Sequence, residues 1–303
     1  MAGLTAAHAL RSRGFNVTLL EKSRGAGGRM ATRRFSGSRF DHGAQFFTVR
    51  DPRFAAAVKE WECAGSVVPW FTQDGHVRYR GTEGMNGIAK RLACDLDIRA
   101  ETRVERIDSD GSGWRVLTSR GEMAADALIA TPPAPQSLAL CQTFLGQLSM
   151  EIPLILESIS FDPCLAVMAI LDGASRVPAP GFVRPLESPI AWIANNTQKG
   201  VSEGAPALTI HAGPEFSRAH WDAPPEEIAR RLLQAAAAWI DGRIVEANVH
   251  RWRHSQPVAT HTDPFLYTRR PAPLAFAGDA FGGPRIERAV LSGLAAANIV
   301  ADG

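Results

Sequence analysis

The sequence predicts an α/β fold, and three segments predict it. An apolar helix at the amino terminus runs into a short strand that ends in an acid, Glu21. A glycine-rich turn, Gly25-Ala26-Gly27-Gly28, comes directly after it. Near the other end, Leu274-Ala275-Phe276-Ala277 leads into Gly278-Asp279, a second glycine-rich turn and a helix of small residues. Open parallel sheets bind ligands at the carboxyl ends of their strands, where turns of this kind lie.

Each element has a physical reason. Leu4, Ala7 and Leu10 recur at helical spacing, and Gly14 stands where a helix stops with positive φ. Val17, Leu19 and Leu20 make an apolar run of strand length, with Glu21 at its carboxyl end. In a dinucleotide-binding unit the order is strand, G-x-G-x-x-G, helix, second strand, acid. The separation of Gly3 and Glu21 is about that between the last glycine and the acid that holds a ribose 2′-hydroxyl. The alternative is an ordinary helix–turn–strand unit with an exposed Glu.

The turn after Glu21 lets backbone pass close to a ligand, and Arg29 offers a bidentate partner for phosphate. A flexible surface turn is the plainer reading. Arg24, Arg29, Arg33, Arg34 and Arg39 cluster here, either as a solvated face or to neutralise a diphosphate. Phe40 to Thr48 mixes small, polar and aromatic residues in a way that suits backbone pressed against a flat ring, with Gln45 free to hydrogen-bond. Asp41 as a loop cap and His42 as a core histidine are the alternatives. At the far end, the helix after Asp279 would aim its first amides at whatever the turn holds. Gly293 and Ala295 to Ala297 would let that helix pack closely on the sheet, and a plain strand–turn–helix is the other reading.

The chain has 303 residues and a formal net charge of +2, so no polyanion partner such as nucleic acid is expected. No apolar run reaches the length of a membrane span, and the basic residues follow the first apolar segment rather than precede it. The expectation is a cytoplasmic protein. Four cysteines at wide, irregular spacings predict reduced, mostly packed thiols, and the eight histidines form no array that predicts a metal. Strands at 165–171, 190–194 and 207–212 predict a sheet carrying a helix at 225–240.

Taken together, these segments resemble the glutathione-reductase-type FAD-binding oxidoreductases. Within them they resemble the amine-oxidase-like superfamily, and most of all the bacterial renalase-like NAD(P)/FAD-dependent proteins. EKSRGAGGRMATRR (21–34), FDHGAQFFT (40–48), Trp192 to Lys199, His250-Arg251-Trp252-Arg253 and 278–297 carry the resemblance from end to end. It implies a Rossmann-like FAD-binding domain, discontinuous over about 1–48, 76–135 and 262–303. An inserted α+β substrate domain would occupy 49–75 and 136–261.

Residue by residue, the resemblance implies that Gly3 ends the phosphate turn and that Glu21, followed by Lys22, meets the adenosine ribose. Gly28 and Arg29 would lie along the diphosphate and flavin, and Gly43, Ala44 and Gln45 along the isoalloxazine. The backbone at Val104, in a strand over 103–107, would clasp the adenine. Gly278 and Asp279 would take the ribityl or phosphate region, with Arg288, Ala289 and Val290 near the pyrimidine edge. Candidate substrate contacts are Gln45, Asn195, Lys199, Arg251 and Trp252, each also readable as core or surface.

Relatives open with a strand and the full glycine fingerprint, so Met1 reads as an internal methionine of that motif. A chain made without the strand is expected to retain FAD poorly. The implied activity is hydride transfer from an isomeric dihydronicotinamide dinucleotide to flavin N5, with reoxidation by dioxygen. That chemistry needs no strong base, because aromatisation drives the hydride off. Amine oxidation is the second reading: a tyrosine pair beside the flavin would need both Tyr79 and Tyr267, the only tyrosines, though Trp or Phe could substitute. A flavin-binding protein without turnover is the third. A dehydrogenase with a single dinucleotide leaves the Gly278-Asp279 turn unexplained.

Overall fold

A computed structural model describes residues 1–109, 111–186 and 189–303. The helix Ala2–Ser12 buries Ala2, Leu4, Ala6, Ala7 and Leu10, and Gly14 follows it at φ +88°. Strand Thr18–Leu20 pairs in parallel with Asp97–Arg99. Leu128–Ala130 pairs in parallel with Leu274–Phe276, which pairs antiparallel with Leu266–Thr268. The helix Ile286–Asp302 packs backbone-close on the first helix. A Cβ on Gly293 would lie 2.3 Å from the Ala2 carbonyl oxygen, so only glycine permits this approach. Ala2, Ala275, Ala277 and Ala296 form the small-residue core between them.

The remaining framework is antiparallel. Thr32–Phe35 and Ser38–Asp41 form a hairpin, and Phe47–Thr48, His76–Gly81 and Val67–Gln73 form a three-stranded sheet in that order. The expected domain boundary at 75/76 falls in the tight turn between Val67–Gln73 and His76–Gly81, which pair with each other. The strand expected at 103–107 runs Val104–Ser109 and pairs with Trp114–Thr118.

A five-stranded antiparallel sheet carries strands in the order Phe182–Val183, Ile190–Asn195, Ala207–Ala212, Ser160–Leu171, Ile244–Ala259. Side chains alternate between the faces of a strand, and here each face has its own task. Leu165, Val167, Leu171, Ile193, Leu208 and Ile210 pack on Ile228 and Leu232 of the helix Pro225–Ala235. The opposite face meets the hairpin, where Phe40 packs on Met168, Ile170 and Ala207. Register places Trp192, His211, Ala166 and His250 in one row across four strands of that second face.

Two expectations need correcting. The helix expected over 225–240 ends at Ala235 and becomes a short 3-10 turn, Ala237–Trp239. The chain must then turn to let Ile240–Asp241 pair with Ala174–Ser175, and that pairing prevails over alanine's helical preference. Cys141 and Cys164 are packed, but Cys63 and Cys94 are exposed at the ends of two helices. Among the described residues, no helix is long and apolar enough to cross a membrane.

Candidate functional site

Four remote segments meet at the parallel strands. Glu21 is fixed where its strand ends: its N–H donates to Arg99 O (3.0 Å), and its carbonyl accepts from Thr102 N–H (2.9 Å). Its Oε1 accepts from Ser23 N–H at 2.7 Å. Lys22 beside it is exposed, and Val104 opens its strand two residues after Thr102. The amino end of the first helix lies within electrostatic reach of Glu21, Arg29 and Asp279. A Cβ on Gly3 would stand 3.3 Å from Thr131 Oγ1, which brings the link after Leu128–Ala130 to the same place.

Arg29 and Asp279, 250 residues apart, form a bidentate pair at 2.5 and 2.9 Å. Arg29 also donates to Ser255 O at 3.2 Å. Gly278, at φ +150°, donates its N–H to Ser292 Oγ at 2.8 Å. Gly28 opens the turn Gly28–Met30, and Ala44 N–H donates to Arg29 O at 2.9 Å. A Cβ on Gly43 would fall 2.0 Å from that same oxygen, so the 43–45 backbone lies directly against the glycine turn. Arg288 is half-buried beside Gly282, Ala289 continues the first turn of the last helix, and Val290 joins a core with Met30 and Phe47.

This donor set fits FAD. It offers an acid at a strand end for a ribose, a guanidinium for a diphosphate, a second acid for a polyol, and glycine where backbones approach most closely.

The hairpin and the five-stranded sheet share a second group of residues. Asp41 Oδ2 accepts from Lys199 Nζ at 2.8 Å, and both side chains are 0% exposed. Asp41 Oδ1 accepts from Thr32 Oγ1 (2.6 Å) and Met85 N–H (2.8 Å). Asn196 accepts from Asp41 N–H at 3.1 Å and donates to Ala207 O and Thr209 Oγ1. Burial pushes the Lys199 ammonium below the ordinary lysine value, and the Asp41 charge opposes that shift. Gln45 is buried; its Nε2 donates to Asp41 O, and its Oε1 lies 3.4 Å from Lys199 Nζ.

Next to this pair stand three imidazoles and an indole. His42 O accepts from Trp252 Nε1 at 2.7 Å and from His211 Nε2 at 3.0 Å, so His211 carries its proton on Nε2. The His250 ring centroid is 4.8 Å from that of His42 and 4.2 Å from that of Trp252. Burial lowers His42 to about 3 and His211 to about 4, and it lowers His250 as well. These rings are neutral at physiological pH.

The structure therefore brings Gln45, Lys199 and Trp252 together around Gly43 and Asp41. Asn195 acts locally: its Oδ1 accepts from Thr197 and Gln198 N–H, closing the turn that delivers Lys199. Arg251 does not join them. It points to the opposite face from Trp252 and donates to Trp221 O (3.0 Å) and Ala223 O (2.6 Å). Strand alternation requires this, because neighbours in a strand cannot share a face. Tyr79 stacks on Phe47 and Tyr267 belongs to the core beside the last helix, so the two tyrosines make no pair. Thr32, Asn196 and His211 were not legible as site residues. Thr32 and Asn196 lie in stretches that carry the resemblance, but no local spacing shows that they meet Asp41, across the hairpin and from the sheet, or that His211 meets His42 O.

Residues 1–61 match the NAD(P)-binding Rossmann-like domain, and residues 68–301 match the flavin containing amine oxidoreductase family. Among solved structures, a wild-type putrescine oxidase bound to putrescine is similar at 15% identity and TM-score 0.71. The match covers 99% of this chain and 97% of that one. Cyclohexylamine oxidase from Brevibacterium oxydans IH-35A is similar at 13% identity and TM-score 0.72, over 99% of this chain and 96% of that one. At these identities the likeness concerns the fold. The family match, spanning most of the chain, goes further: the protein belongs to the flavin containing amine oxidoreductases and is an FAD-dependent oxidoreductase.

Proposed function

We propose that this oxidoreductase oxidises isomeric dihydronicotinamide dinucleotides to the aromatic form. The observation that supports this reading is the neutral, flat-ringed surface over Gly43. His42 and Trp252 stack at 5.1 Å with an interplanar angle of 28°, His250 lies edge-on to both, and burial keeps these imidazoles uncharged. The nearby carboxylate Asp41 is consumed by Lys199, Thr32 and Met85 and is not available as a base.

Glu21, Arg29 and Asp279 would hold FAD, whose chemistry would supply a hydride acceptor at N5 with dioxygen as the reoxidant. The protein then has to bind, orient and exclude water, and a substrate that becomes aromatic as it loses hydride asks for no more. Trp252, half-buried and backed by the buried His42 ring, offers a flat face that matches a planar carboxamide ring. Gln45 is held by the Asp41 and Gly43 carbonyls, which fixes its amide against the 43–45 turn. The partner is a small molecule; the near-neutral charge offers nothing to a nucleic acid or to an anionic membrane.

Amine oxidation is the second reading. It is favoured by the likeness to a putrescine oxidase and a cyclohexylamine oxidase, and by the rings of Phe46, Trp70, Phe182 and Trp192 near Lys199. Anaerobic mixing of the FAD-loaded protein with each substrate class separates the two. Dihydronicotinamide isomers are expected to bleach the flavin absorption within one turnover, and primary amines to leave it unchanged. Bleaching by amines alone would replace the first reading with the second.

A further inference from the structure

A groove of about 500 Å³ lies against the edge strand 244–259. Its walls include Phe161, Arg218, Trp221, Arg253 and His254. The Arg253 guanidinium stands 4.7 Å over the Trp221 ring, is exposed, and makes no ion pair among the described residues. Arg218 is paired with Asp162 at 2.6 Å. Arg29 borders the groove, 5.8 Å over the Phe161 ring, and Asp279 pairs with it. His254 packs on Phe161 at 5.5 Å and is faced by Arg253, Arg29 and Lys22; their charges, after burial, hold it below its ordinary value. The two acids here are each taken by one arginine, which leaves Arg253 and the more distant Lys22 as uncompensated positive charge.

The strand ties this groove to the ring surface described above. Trp252 Cζ2 lies 3.3 Å from the Cβ position of Gly43. His254 follows on the same face of the strand, on the order of 7 Å further on, while Arg253 between them projects with Arg251 to the other side, over Trp221 at the edge of the sheet. In a dinucleotide, the diphosphate is separated from the nicotinamide by one ribose. A ring held at Trp252 would send its diphosphate along this face past His254 and over the edge of the sheet, toward the Arg253–Trp221 pair. Arginine suits this role, since its fork matches phosphate oxygens and its plane stacks on aromatic rings.

We propose that this groove binds the nucleoside diphosphate half of the dinucleotide substrate, with Arg253 and His254 at the phosphates and Trp221 beside the base. The substrate assignment rests on the reading given under Proposed function; the anion site does not.

The test uses Arg253→Gln in the full, FAD-loaded chain, with ADP-ribose as a probe that cannot transfer hydride. Calorimetry and tryptophan fluorescence should show ADP-ribose binding to the parent protein and about tenfold weaker binding to R253Q, the loss of one charge-assisted contact. Flavin content and thermal midpoint should stay the same, and R253K should recover part of the affinity. In turnover, R253Q should raise the KM for the dinucleotide about tenfold and leave kcat unchanged. The KM for the corresponding mononucleotide should not move. Equal ADP-ribose binding by parent and R253Q overturns the proposal. So does loss of flavin from R253Q, which would assign the groove to the cofactor, or an equal KM rise for both nucleotides. ADP-ribose binding is blind to turnover. Arg253-dependent binding in a protein that oxidises no dihydronicotinamide would uphold the anion groove and remove only the substrate reading.

Discussion

Asp41 and Lys199 show how one buried pair joins the hairpin to the five-stranded sheet. Taking both charges out of water is costly, and the pair persists because Asp41 receives hydrogen bonds from Thr32, Met85 and Lys199. Removing one partner leaves the other charged and buried. Lys199→Met is expected to destabilise the protein by about 3–5 kcal/mol in urea unfolding. The double variant Asp41→Asn, Lys199→Met should recover most of that loss, because neither charge then remains. A double variant as unstable as the sum of both singles would show that the two side chains are not coupled. This pair was only half legible in the sequence. Lys199 stood out as a candidate contact for substrate, yet its partner lies 158 residues away and no spacing rule joins them.

Elements were legible where a local rule fixes them. The helix ending before Gly14, the strand before Glu21 and the strand Ala207–Ala212 follow from apolar period and turn residues alone. Sidedness was lost where one motif was treated as a unit. His250-Arg251-Trp252 lies on a strand, so the arginine serves the helical layer and its neighbours serve the site. Contact between turns is likewise invisible from spacing: the 43–45 backbone rests on Arg29 O with no room for a Cβ at Gly43. Gly43→Ala must push the two turns apart, and displacements of this kind typically cost about 1–3 kcal/mol. The expected outcome is a protein that folds and loses most of its flavin, read as the ratio of flavin to protein absorbance. Gly146→Ala is the control, since nothing lies within 4 Å of that Cβ position, its φ is ordinary and it lies in the turn Leu145–Gln147 away from the cradle. Equal flavin content in the two variants would deny the 43–45 turn a place in the cradle.

At the scale of the whole molecule, the cofactor segments and the five-stranded sheet meet, beside the Asp41–Lys199 pair, through imidazoles that must stay uncharged. His42 comes from the turn after the hairpin and His211 from the centre of the sheet, and burial lowers them to about 3 and about 4. An unfolded histidine titrates near 6.5. Above pH 6.5 neither the folded nor the unfolded chain protonates these rings, and their contribution to stability is complete. As pH falls below 6.5 the unfolded chain takes up protons that the folded chain refuses, so stability declines. The decline from His211 ends near pH 4 and that from His42 near pH 3. At pH 5 each ring should cost about 2 kcal/mol, a combined loss that is large against a typical total of about 5–15 kcal/mol. Urea unfolding at pH 7.5 and pH 5.0 measures it directly. His211→Gln retains a donor for His42 O and should remove about half of the pH dependence. An unfolding free energy that is the same at both pH values would mean that these imidazoles reach water in the folded protein, and the neutral surface proposed for the substrate would not exist.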